Sequence, residues 1–314
     1  MAEHVLEPSP ETVCWGWLDS ESAPALTIDS GDVVTLRSVS GGPTQLPPEG
    51  FAAVDPAQRA IHAVLKPHLG PHILTGPVAV RGAKPGDALR IDILSVELSE
   101  DWGYNMIRPL AGTLPDDFPE PDLAHIALDR ARGVARLPWG LELPVAPFFG
   151  VMGVAPPPVW GPQSSVAPRR FGGNIDCKEL VAGTTLVLPV LAEGALFLAG
   201  DGHALQGDGE VCVTAVECGL RGRFRLTVEP GAAPERPWAE TPTHLITLGF
   251  DPDLDRAAEI ALRDMIARIV VETGLRREDA YRLCSLACDL RVTQLVNQHK
   301  GVHAMLPKSA LARA

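Results

Sequence analysis

The feature that most restricts the fold is a pattern that occurs three times: an apolar run, a glycine turn, then an alternating run. It is found in LTIDSGDVVTLRSV, in VAVRGAKPGDALRIDILSV and in LVAGTTLVLPVL. Alternation with a period of two sends successive side chains to opposite faces, as in a strand half-buried against a core, and a glycine turn between two such runs closes a hairpin. From Ala88 to Val96, Leu89, Ile91 and Ile93 share one face while Arg90, Asp92 and Leu94 share the other. Hairpins must pair their edges and cover their apolar faces, so the expected fold is α+β and mostly β, with the hairpin sheets in a sandwich or barrel-like arrangement. The 30 Gly and 30 Pro, against 5% aromatics, agree with many short strands joined by tight turns. Beyond this shared grammar the three segments are only loosely alike, which reads as recurring turn chemistry.

After Asp251 the period changes. With Pro252 at the first helical position, Leu254, Ala257, Ala258, Ala261, Met265, Ile269 and Val270 recur at helical spacing until Gly274, which predicts an amphipathic helix over Asp251 to Thr273, the longest of the chain. A shorter helix begins near Arg277 and carries Leu283, Cys284, Ala287 and Cys288, and VTQLV either continues it or returns to strand. Between residues 99 and 170, Pro, Gly and Trp interrupt every period, which predicts irregular pocket-building loops walled by Trp102, Tyr104, Phe148, Phe149 and Trp160. The expected organisation is a β-rich core over residues 1–250, with those loops at 99–170, and a helical segment over 251–314 packed on it.

Charge narrows the partners. A net charge of -12 leaves no basic surface for a polyanion, so nucleic acid is not an expected partner. The N-terminus lacks a basic start followed by an apolar run, and no stretch approaches a membrane span, so the expectation is a cytoplasmic protein with no membrane partner. Cys14, Cys177, Cys212, Cys218, Cys284 and Cys288 form no CxxC pair and read as free thiols.

Three segments could carry chemistry. GDGHALQGDGEV, Gly200 to Val211, concentrates Asp201, His203, Gln206, Asp208 and Glu210 between glycines that let the backbone wrap donors around one point. A polar turn would use Asp-Gly but needs neither His203 nor Glu210, so the cluster reads as a metal or polar-substrate site. In FGGNIDCKEL, a regular strand would put Asn174, Asp176 and Lys178 on one face and Cys177 and Glu179 on the other. That separation weighs against a Cys177 nucleophile served by Lys178 and Glu179, and favours Asp176 as ligand or base. His72, in GPHILTGPVAVRGAKPGD, is a lone histidine, a type more often structural than a ligand.

Together these segments resemble the acetamidase/formamidase family, which has comparable GPH...TGP...V.GA.PGD, PFFGVMGVAP, FGGN.DCKEL and GDGHA.QGDGEV stretches at comparable positions. The resemblance runs from about Thr27 to VNQHKGVHAMLPKS. It implies hydrolysis of a short aliphatic amide to a carboxylate and ammonia, a mostly β fold with a helical segment, and a bound divalent metal. By position, His72, Asp176, Asp201 and His203 look like the metal-proximal set, with Glu210, or Asp208 if Glu210 points into the core, as the proton shuttle. Mixed His and carboxylate donors suit zinc and leave calcium, magnesium and manganese open. The family often has His in the segment that here reads VCWGWLD, so Cys14 marks a departure. The resemblance, with the apolar stretch PFFGVMGVAPPPVW, also implies a homo-oligomer.

Overall fold

The alternating runs form strands, but none of the three glycine turns closes a hairpin: Val33–Arg37 and Ala88–Leu98 lie in a different sheet from Leu26–Ile28 and Ile73–Val80, the runs before their turns, and in LVAGTTLVLPVL only Thr185–Pro189 is a strand. In the computed structural model, which describes residues 1–312, Ala88–Leu98 runs antiparallel between Leu220–Glu229 and Thr185–Pro189. Leu89, Ile91 and Ile93 are buried on it, while Arg90 and Asp92 are half-buried. These strands form the middle of a nine-stranded sheet in the order Glu3–Leu6, Val33–Arg37, Leu220–Glu229, Ala88–Leu98, Thr185–Pro189, Trp238–Glu240, His244–Asp251, Lys300–Pro307, Asp289–Gln294. A second sheet orders Gly172–Asn174, Phe148–Gly153, Phe197–His203, Ile73–Val80 and Val13–Trp15, with Leu26–Ile28 added parallel to Ile73–Val80.

One core joins the two sheets. Phe224 of the larger sheet meets Phe149 and Phe197 of the smaller edge to face, at centroid distances of 5.3 and 5.7 Å. All three rings are essentially fully buried, each contributing on the order of 2 kcal/mol. The expected α+β, mostly β fold is what the chain adopts, and among the described residues no sheet closes into a barrel.

Three helices complete the described fold: α1, Pro56–Val64; α2, Leu254–Thr273; and α3, Arg277–Ala287. The longest helix starts at Leu254, later than its periodicity suggested. Asp251 still belongs to strand His244–Asp251, and Asp253 is the cap, its carboxylate accepting the amides of Asp255 and Arg256 at 2.9 and 3.1 Å. Gly274, at φ 70°, ends the helix in the left-handed region. The buried face of α2, Ala257, Ala261, Met265 and Ile269, packs with Val302, Ala304 and Leu306 of strand Lys300–Pro307.

Two regions differ from their expected character. Residues 99–170 contain a four-stranded antiparallel sheet, Glu142–Pro144, Val134–Arg136, Asp122–Asp129 and Trp102–Ile107, together with strand Phe148–Gly153. Cross-strand pairing stabilises these stretches even where proline and glycine hide their period. After α3, the VTQLV stretch returns to strand in Asp289–Gln294, so the chain beyond residue 251 supplies two strands of the large sheet as well as two helices. In PFFGVMGVAPPPVW, residues 148–155 are buried, and the large apolar side chains it exposes are Val159 and Trp160. Among the described residues, no helix is long and apolar enough to cross a membrane.

Candidate active site

The site begins with Gly150. It stands on Phe148–Gly153 between Phe149, paired with Gly202, and Val151, paired with Gly200, which sets it across from Asp201. Its carbonyl accepts the amides of both Ile175 and Asp176 at 3.1 Å. That double bond ends strand Gly172–Asn174 and turns the chain, leaving Asp176 at φ 51°. The regular alternation expected through FGGNIDCKEL therefore stops at Asn174. Asp176 is aimed back towards Gly150, and Cys177 enters the apolar core, fully buried. A Cβ on Gly150 would overlap Asp176 Oδ1 and lie 2.8 Å from both Asp201 Oδ2 and His203 Cε1. Only a hydrogen at this position lets the three side chains meet.

Strand Phe197–His203 delivers Asp201 and His203, both buried. Asp201 also has positive φ, 55°. His203 Nε2 lies 3.3 Å from Glu217 Oε1 and 3.5 Å from Asp201 Oδ2, without hydrogen-bond geometry to either. Its Nδ1 is 2.9 Å from Gln206 Oε1. Gln206 Nε2 donates to the Asp176 carbonyl at 2.8 Å, so the amide oxygen faces the ring and Nδ1 must be the donor. In the neutral ring this leaves the Nε2 lone pair directed at two carboxylates. Such an arrangement is repulsive unless a proton or a cation sits among them. Burial opposes charging of His203, yet Glu217 and Asp201 hold its pKa well above the ordinary value.

The carboxylates are divided by their surroundings. Burial raises Asp176, and Asp201 adds to the rise against His203. Glu210, at φ 44°, is pushed well up, first by burial and then by Asp176. Glu217 is raised by burial, with His203 opposing and Asp201 adding. Asp201 is lowered: burial works against its charge, but His72 and His203 outweigh it. Asp176 Oδ1 and Glu210 Oε2 are buried without hydrogen-bond partners, while Asp176 Oδ2 accepts a short bond from Asn297 Nδ2. His72 closes the group from the mouth, with Nδ1 2.7 Å from Ser165 Oγ and Nε2 3.8 Å from Asp201 Oδ2.

Two overlapping sets of potential ligands result, Asp176, His203 and Glu210, and Asp201, His203 and Glu217, each with donor atoms within 4.8 Å of one another. They lie at the inner end of a cavity of about 980 Å³, whose lining includes His72, Tyr104, Asp201, Glu210, Glu217 and Asn297. Of the residues singled out in sequence, His72, Asp176, Asp201, His203 and Glu210 come together here. Asp208 does not: it is exposed and pairs with Lys178 at 3.0 Å. Cys14 sits in the apolar core, its thiol pushed up to about 11 by burial. Glu217, Asn297 and Gly150 were not singled out. A trace of Glu217 is visible as a lone acid in TAVECGL; Asn297 and Gly150 leave none.

The profile of the acetamidase/formamidase family matches residues 46–159 and 162–238. An acetamidase of Mycolicibacterium smegmatis is 27% identical over 198 residues, 45% of this chain and 49% of that protein. A formamidase of Methylophilus methylotrophus is 29% identical over 196 residues, 45% of this chain and 47% of its own length. The chain thus spans about half the length of the curated relatives it matches. The crystal structure of an acetamidase from Bacillus halodurans superposes with a TM-score of 0.84 at 30% identity, covering 98% of this chain and 100% of that one. With a matching profile over well over half its length and a shared architecture from end to end, the chain belongs to the acetamidase/formamidase family.

Proposed function

We propose that this protein hydrolyses a linear aliphatic amide, of which formamide and acetamide are the smallest members, to a carboxylate and ammonia with the help of a divalent metal. The observation that carries the reading is the unpaired His203 Nε2 facing Asp201 and Glu217, beside the unpaired oxygens of Asp176 and Glu210. His203 Nε2 among buried carboxylates needs a proton or a cation, and the further unpaired oxygens of Asp176 and Glu210 favour the cation. Asp176, Asp201 and His203, with Glu217 joining them, would hold the metal, and His72 borders it through Asp201. When bound, the ion supplies Lewis-acid polarisation of the amide carbonyl and a lowered pKa for water. The mixed nitrogen and oxygen donors favour zinc, with calcium, magnesium and manganese as the other fits.

The chain's own residues supply the rest. Asn297 holds Asp176 through Oδ2, which keeps Oδ1 turned inwards, and Gln206 fixes the His203 tautomer. Glu210 carries protons. Its Oε2, buried without a hydrogen-bond partner beside Asp176 and His203, is placed to take a proton from water and return it to the departing nitrogen. A Cys177 nucleophile is disfavoured because burial pushes that thiol up to about 12 and the side chain lies in the core.

The resemblance further supports a homo-oligomer, to be read as a mass above that of one 33.4 kDa chain by light scattering. The six free cysteines suit a reducing, cytoplasmic compartment. The test of the main reading is ammonia release from formamide, acetamide, propionamide and urea, with and without a chelator. Turnover of an amide that a chelator abolishes and added metal restores is the expected result. Turnover indifferent to thorough metal removal refutes the metal, and no turnover of any amide refutes the reaction.

A further inference from the structure

The cavity is far larger than the smallest amides need. Acetamide has four non-hydrogen atoms and, at roughly a water's share of about 30 Å³ each, occupies about 120 Å³. The space in front of the carboxylates measures about 980 Å³. Its polarity is graded. The inner end carries Asp201, Glu210 and Glu217, whereas the half-buried part of the wall includes Met106, Ile107, Leu123, Val213, Leu295 and Val296, with Gln45 among them and Arg108, Asp122 and Gln298 exposed to solvent.

The four-stranded sheet builds that gradient. Tyr104 exchanges backbone hydrogen bonds with Glu217, at 2.9 and 2.8 Å, which ties this point of strand Trp102–Ile107 to the acidic end. Two residues further along, on the same face, Met106 stands opposite Leu123 of strand Asp122–Asp129. At about 3.4 Å per residue, this apolar pair lies roughly 7 Å outward from Tyr104. The 3₁₀ turn Pro43–Gln45 braces the wall: Gln45 Nε2 reaches Met106 Sδ at 3.9 Å, and the Gln45 carbonyl is 3.0 Å from His125 Nε2.

Resting on the reading of the inner end as an amide-hydrolysing centre, we propose that the preferred substrate is a primary amide with a longer unbranched apolar acyl chain, seated against Met106 and Leu123, rather than a one- or two-carbon amide. The amide group enters the polar end and the chain follows the strand outward. Each methylene that leaves water against this wall contributes about fourfold to kcat/KM.

The experiment measures ammonia release from acetamide, propionamide, butyramide, valeramide and hexanamide by the wild-type protein and by Met106→Ala and Leu123→Ala. The expected wild-type result is a rise of about 10²-fold in kcat/KM from acetamide to hexanamide, four methylenes at about fourfold each. Either variant should lower the hexanamide-to-acetamide ratio by about tenfold, as loss of one to two methylenes' worth of contact implies. Using the ratio removes any general loss of folded enzyme, and two positions guard against one variant failing to fold. A flat or falling series with acetamide turned over refutes the inference while leaving amide hydrolysis intact. A rising series whose slope neither variant changes refutes the assigned wall. Ammonia from none of the five amides refutes the hydrolysis reading, and this inference with it.

Discussion

Gly150→Ala adds one methyl group where three functional side chains converge. The substitution introduces no backbone strain, since Gly150 is outside the left-handed region. The added carbon would overlap Asp176 Oδ1 and stand 2.8 Å from both Asp201 Oδ2 and His203 Cε1. None of these can swing away freely: all three residues are buried, Asp176 is tied to Asn297, and His203 to Gln206. Overpacking of this kind costs about 1–3 kcal/mol. Taking about 2 kcal/mol and a melting shift of about 2–4 °C per kcal/mol for a larger domain, Tm should fall by about 4–8 °C. The chemistry should suffer more, because displacing a positioned group by about 1 Å costs about 10²-fold in rate. Gly207→Ala is the control, in the same glycine-rich segment, with open space around its added Cβ and no positive φ. The assay is calorimetric Tm, metal content and ammonia release for both variants beside wild type. If Gly150→Ala matched Gly207→Ala in turnover and Tm, the close convergence of Asp176, Asp201 and His203 would be wrong.

His203→Ala removes the nitrogen donor shared by both ligand sets, so metal content by elemental analysis and ammonia release should fall together. Glu210→Gln keeps shape and most hydrogen bonding but not proton transfer; metal should stay while turnover drops by about 10²–10⁴-fold, and loss of the metal instead would make Glu210 a ligand. Cys177→Ser should keep substantial activity and cost about 1–3 kcal/mol in stability from burying a hydroxyl among apolar groups; near-complete loss of turnover in a folded, metal-loaded variant would revive the thiol nucleophile. His303, buried and lowered by desolvation to about 4, contributes stability that is fully present above the unfolded value near 6.5 and lost as pH falls through about 4. Relative to His303→Asn, which retains a donor for Thr293 Oγ1 and does not titrate, wild type should lose about 3 kcal/mol between pH 7 and pH 3.5 in denaturant titrations; a difference independent of pH would refute the assignment.

The parts of the site legible in sequence were those whose residue types are costly to keep without a use. His203 and Glu210 stood out because a polar turn needs neither, and Asp201 because it shares their short glycine-rich segment. Asp208 looked equivalent from spacing, but the left-handed backbone at Glu210 turns that side chain inwards while Asp208 remains outside with Lys178. Asp176 was favoured over Cys177 from regular strand alternation. The structure separates the two differently, through a turn made when the Gly150 carbonyl captures two successive amides. Glu217 and Asn297 are 14 and 94 residues beyond His203 in the chain, and no local pattern could join them to it.

By itself, the sequence determined the mostly β class, the long helix and its glycine stop, and the two polar segments that meet in the site. Each is a local consequence of side-chain period, of a cap or turn residue, or of glycine's freedom at positive φ, all readable within about a dozen residues. Tertiary structure alone decided the pairing of residues 99–170 into a sheet, the return of the last segment to the edge of the large sheet, and the meeting of Gly150, Asp176, Asp201, His203 and Glu217. Those outcomes depend on which strands lie side by side and how closely two backbones approach. Such contacts join residues distant in sequence, and they form only when the whole core buries its apolar faces together.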